Sequence, residues 1–165
     1  MAAELHDFLS RDHARLDALL ETCMRADDPQ AYDAFRRGLL RHIAIEERVL
    51  FPLLRKSRGV TELERQLHRD HAALAALLMP PPSRAEVDQI SAILQVYNEM
   101  EERGGGLYEV IEGLSGGELA SLMTRVHATP AVRVAPQADT PILRRTIEQL
   151  VRQAEEGRRQ MTHSR

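Results

Sequence analysis

Apolar residues recur at helical spacing along most of the chain. Leu5, Phe8, Leu9, Leu16, Leu19, Leu20 and Cys23 predict a first helix over residues 3–26, ended by Asp27-Asp28-Pro29. Asp28 offers an N-cap and Pro29 a first helical position. From there Phe35, Leu39, Leu40, Ile43, Val49, Leu50, Leu53 and Leu54 carry a second stripe to about residue 56. Pro52 lacks an amide proton and is expected to bend or loosen the last turn of that helix. Thr61 with Glu64, and Ser83 with Glu86, have capping-box spacing and open a third and a fourth helix. Pro80-Pro81-Pro82 stops the third; the fourth runs through Ile90, Ile93, Leu94 and Tyr97 until Gly104-Gly105-Gly106 breaks it. A short helix is expected over residues 118–127 and a linker over 128–139. A last helix, capped by Thr140 and Pro141, carries a narrow stripe of Ile142, Leu143, Ile147, Leu150, Val151 and Ala154.

The pattern repeats. Residues 11–20 read RDHARLDALL and residues 69–78 read RDHAALAALL, while HIAIEER from His42 is matched by YNEMEER from Tyr97. The chain is therefore two copies of one two-helix unit. Two similar pairs with short connections predict an all-α, up-down-up-down four-helix bundle over residues 1–113, with a linker and C-terminal helical extension over 114–165. If Leu107-Tyr108 corresponds to Leu50-Phe51, the glycine stretch is a two-residue insertion in the second copy. The last helix must bury its stripe on the bundle or on another subunit, which leaves a homodimer through this helix open.

Composition narrows the partners. A net charge of −3 and an aromatic share of 4% supply neither the basic surface nor the stacking platforms of a nucleic-acid binder. The single Cys23 excludes an intramolecular disulfide and any Cys-rich metal site, which suits a reducing compartment. The start MAAELHDFLSRDH has no apolar run, and no later stretch approaches the ~20 apolar residues of a membrane span. A soluble cytoplasmic protein that binds neither nucleic acid nor membrane is expected.

Several polar residues fall on apolar stripes, where they cost free energy unless paired or bound to something. His13 lies between Leu9 and Leu16, and His71 between Leu67 and Leu74. His42 and Glu46 share one helix face, and Tyr97 and Glu101 repeat their spacing. Folding the two copies together sets His13, His42 and Glu46 opposite His71, Tyr97 and Glu101. Imidazole with carboxylate suits first-row transition metals, and two carboxylates inside a bundle can bridge a pair of ions. Any one of these histidines alone reads as a hydrogen-bonded core residue; duplication of the whole arrangement turns the reading to metal binding.

The DHxxL context of His13 and His71 and the segment from His42 to Pro52 resemble the hemerythrin-like, or HHE cation-binding, family over roughly residues 4–112. The resemblance implies a non-heme di-iron centre with His13, His42, His71, Glu46 and Glu101 as ligands, the two carboxylates bridging. Tyr97 stands where the family pattern has a fourth-helix His. It is either a phenolate ligand, which would favour ferric iron and hinder reversible oxygen carriage, or a phenol filling the space of the missing imidazole. Leu67 occupies the place of a second third-helix His, and His68 lies on a neighbouring face. Glu47 and Glu102 belong to solvated faces or bond the Nδ1 atoms of the histidines. The implied function is a redox centre that meets oxygen, peroxide or nitric oxide as its small ligand. The sequence names no substrate, so enzyme, oxygen or iron sensor, and metal-depleted structural bundle all remain open.

Overall fold

The computed structural model describes residues 4–163, and all regular structure among them is helical. The four bundle helices are α1 (Glu4–Ala26), α2 (Pro29–Ile45) with its continuation α3 (Phe51–Arg58), α4 (Glu62–Leu77), and α5 (Arg84–Glu102) with its continuation α6 (Leu107–Ser115). A 3₁₀ turn, Gly116–Glu118, leads to α7 (Leu119–His127), and an extended linker leads to α8 (Pro141–His163). Leu5, Leu9 and Leu16 of α1, Phe35 and Leu39 of α2, Leu67 and Leu74 of α4, and Ile90 and Leu94 of α5 form the inaccessible core. The stripes read from the sequence are therefore the buried faces, except that Ile142, at the start of the last stripe, is 71% exposed.

The caps follow the sequence with one difference. Asp28 accepts the amides of Gln30 and Ala31 at 2.9 and 3.2 Å, and Ser83 and Glu86 bond reciprocally. Thr61 accepts the amide of Glu64, but the Glu64 carboxylate turns to Arg55 and leaves that box half made.

The second bundle helix loosens one turn earlier than Pro52 alone suggests. A π turn spans Glu46–Leu50, and the amide of Phe51 reaches back to the carbonyl of Glu46. Such single-turn widenings cluster at functional sites. Beyond it α3 is regular, because Pro52 falls in the first turn of the restarted helix, where a missing amide proton costs little. The second copy is interrupted at the corresponding place by the glycine turn. Gly105 has φ +74°, and a Cβ on Gly106 would lie 2.6 Å from the carbonyl oxygen of Glu101, so a side chain cannot fit there.

The stripe of α8 lies on α4 of its own chain, with Ile147, Val151, Ala154 and Gly157 buried. A Cβ on Gly157 would lie 2.0 Å from Gln66 Oε1, so glycine permits this close approach. The linker is strapped to the bundle by hydrogen bonds. Arg36 donates to the carbonyls of Leu78 and Ala135, both at 3.0 Å, and Arg41 donates to that of Thr129 at 3.1 Å. The amide of Ala138 donates to the carbonyl of Met79 at 2.9 Å. Among the described residues no helix is long and apolar enough to cross a membrane.

Candidate metal centre

All six residues singled out by the sequence converge inside the bundle, each at most 4% exposed. His13 Nε2 and His42 Nε2 are 2.9 Å apart; Glu46 Oε1 lies 3.2 Å from the second and Glu101 Oε2 lies 3.3 Å from the first. Ligand atoms of these four residues fall within 4.8 Å of one another. On the other side of Glu46, its Oε2 lies 3.0 Å from His71 Nε2 and accepts the hydroxyl of Tyr97, which is itself 3.0 Å from His71 Nε2. One carboxylate thus faces two donor groups, an oxygen toward each.

An outer ring of carboxylates aims the imidazoles. His42 Nδ1 lies 2.9 Å from Asp12, His71 Nδ1 lies 2.6 Å from Glu47, and His13 Nδ1 bonds Glu102. Ionised carboxylates only accept, so each Nδ1 carries the proton and each Nε2 turns inward. Of the two places open to Glu47 and Glu102, the structure selects the bond to Nδ1. His68, two-thirds exposed, bonds Glu47 from outside at 2.8 Å. His6 reaches the Glu102 carbonyl at 2.9 Å, and His127 lies edge-on to Phe8, both outside the cluster.

The two halves differ where the sequence does. Asp12 holds His42, but its repeat counterpart Asp70 has no imidazole to hold, because the Tyr97 ring has no nitrogen. Asp70 instead accepts Gln66 at 3.1 Å and Arg158 of α8. The halves also diverge at the aromatic that follows each interruption. Phe51 lies nearly parallel to His71, with centroids 5.6 Å apart, whereas Tyr108 adds a hydroxyl that enters the His13–His42 group. Sequence reasoning missed Tyr108. The available signal was its correspondence to Phe51, since a buried tyrosine on a core stripe needs a polar partner for its hydroxyl.

The charges show that the cluster is built around positive charge. With both Nδ1 atoms protonated, neutral His13 and His42 would turn two lone pairs toward each other at 2.9 Å, which a proton or a metal cation must relieve. Burial opposes charge on His42, but Glu46 and the bond to Asp12 outweigh it and raise His42 to about 10. Burial likewise opposes His71, which bonds to Glu46 and Glu47 raise to about 9. Burial and the charged His42 lower His13. Glu46 is held well below the carboxylate range despite burial, by His42 and His71. Burial and the Glu46 charge push Glu101 well above that range, and its buried Oε1 has no hydrogen-bond partner. Burial, then Glu101 and Glu46, raise Tyr97 in the same way. Three inward imidazoles, two buried carboxylates and an orphaned carboxylate oxygen fit a cation that replaces these protons.

The outer ring yields a direct check. Asp12→Asn keeps the size of the side chain but loses the anion that orients His42. Metal affinity is expected to fall about 10–100-fold, measured by competition with a chelator of known affinity. Unchanged affinity would remove Asp12 from the site.

No curated protein and no solved structure matches the chain. The family model of the hemerythrin HHE cation-binding domain matches residues 4–156, which takes in all four bundle helices, every inward donor described above and most of α8. The chain, a helical bundle with a buried His/Glu cluster suited to metal, belongs to the hemerythrin HHE cation-binding domain family.

Proposed function

We propose that the bundle holds a dinuclear non-heme iron centre, with His13, His42, Glu46, His71, Tyr97 and Glu101 as its protein ligands, and that this centre reacts with oxygen, peroxide or nitric oxide. The division of Glu46 carries the reading: Oε1 faces His42 while Oε2 faces His71 and Tyr97, the placement of a carboxylate shared between two cations. Bound iron supplies one-electron redox chemistry and Lewis acidity toward a small ligand. The chain supplies the rest. Glu46 and Glu101 bring anionic charge, the three imidazoles bring neutral nitrogen donors, and Asp12, Glu47 and Glu102 hold the rings in orientation. Phe51 lies nearly parallel against the His71 ring and covers that face of it.

The halves are unequal, with two imidazoles on one side and one imidazole with a phenol on the other. Loading is therefore expected in two steps, the His13–His42 half first. Titrating the metal-free protein with ferrous iron under anaerobic conditions, followed by metal analysis, tests this; about two irons per chain are expected. Protein that takes up none under those conditions would instead be a structural bundle. A sensor role for the same centre is favoured by the bond between Arg158 and Asp70, which joins α8 to the residue before His71. Turnover of peroxide or nitric oxide by loaded protein supports the reactive centre. Iron-dependent change in the hydrogen exchange of α8 without turnover supports the sensor.

A further inference from the structure

The Tyr108 hydroxyl stands among the donors of the first half-site. Its oxygen is 2.8 Å from Glu101 Oε2, 3.0 Å from Glu46 Oε1, 3.1 Å from His13 Nε2 and 3.2 Å from His42 Nε2. A hydroxyl has one proton to donate and two lone pairs to accept with, so the four polar atoms around it, two carboxylate oxygens and two inward imidazole nitrogens, exceed what it can satisfy by hydrogen bonding. An atom close to four metal-type donors occupies the region a cation bound by those donors would share.

Two further observations separate this hydroxyl from ordinary packing. The repeat places Phe51 at the corresponding position, also fully buried, so the fold needs an aromatic ring there but not its oxygen. The glycine turn brings the ring to the site. In an uninterrupted helix, residue 108 would lie about 10 Å further along the axis than Glu101. The turn at residues 104–106 breaks that rise, and α6 restarts with Tyr108 inside.

We propose that Tyr108 is a further metal ligand, binding through its phenolic oxygen the cation held by His13, His42, Glu46 and Glu101. This rests on the reading of the cluster as a metal centre. Coordination exchanges the O–H bond for an O–metal bond, and the proton leaves to solvent. Each half-site then has its own phenol, Tyr97 from α5 and Tyr108 from α6.

The test uses the full chain with Tyr108→Phe, Tyr97→Phe and both together, each loaded with ferrous iron and oxidised in air. Metal content, the visible charge-transfer band and resonance Raman spectra excited within it are recorded. Phe51 at the corresponding site indicates that Tyr108→Phe folds, which the helical circular dichroism checks. Tyr108→Phe is expected to retain iron while losing about half or more of the band and of its tyrosine ring vibrations. The proposal is overturned if Tyr108→Phe leaves both unchanged, or if loaded wild type shows no tyrosine vibrations while holding iron. A wild type that takes up no metal overturns the metal-centre reading as well, so the two failures are distinguishable by metal content.

Discussion

Glu46→Ala is expected to abolish metal loading in both half-sites at once. His13 and His42 lie on one side of Glu46 and His71 on the other, and Glu46 presents an oxygen to each side. Its removal also withdraws the anion that holds His42 and His71 protonated in the metal-free protein. Glu46→Gln separates charge from volume, and it too should fail to load. Thermal unfolding provides the second measurement. A ligand present at 1,000 times its dissociation constant stabilises the folded state by about 4 kcal/mol, so the metal-dependent rise in Tm seen in wild type should vanish in both variants. Full metal content in either variant would refute the assignment. Because bound metal displaces protons from these imidazoles, loading should weaken as pH falls.

Arg158→Ala is expected to cost about 3–5 kcal/mol, the range for leaving a buried charge without its partner. Asp70 is fully inaccessible, its Oδ2 has no hydrogen-bond partner, and Arg158 is 17% exposed. Burial pushes Asp70 up to about 6 even with the guanidinium present, so its charge is already held at a cost. Adding Asp70→Asn removes that charge, and the double variant should recover most of the loss. Chemical denaturation of the four members of this cycle measures the coupling directly. A single variant within about 0.5 kcal/mol of wild type, the range of ordinary surface substitutions, would show that the α8 latch contributes nothing. Hydrogen exchange should place the lost protection in α8 and the facing turns of α4, since α8 is joined to the rest by a linker held through a few hydrogen bonds.

Much of this site is legible before any coordinates. A histidine between two leucines of a stripe, such as His13 or His71, points into the core because the helical period fixes the direction of a side chain about its own axis. The same rule places Glu46 with His42 and Glu101 with Tyr97. The residues it does not reveal are those whose role depends on a second element. Glu47 and Glu102 follow the inward glutamates and look solvated along their own helices. They become partners of His71 and His13 only when α4 and α1 lie alongside. Asp70 is inseparable in sequence from Asp12, and its different partner follows from a tyrosine on one helix and an arginine on another. Tyr108 depends on how far the glycine turn shortens the path from α5 to α6, which periodicity cannot measure.

The sequence by itself determined the helices other than α6, most of their buried faces, the internal duplication and the six inward positions, because each of these is read from spacing along the chain. Tertiary structure alone decided that the second helix widens into a π turn at Glu46, that α8 lies on α4, and that the Tyr108 hydroxyl enters the His13–His42 group. Those outcomes depend on register and approach between helices, quantities fixed by the fit of one surface against another.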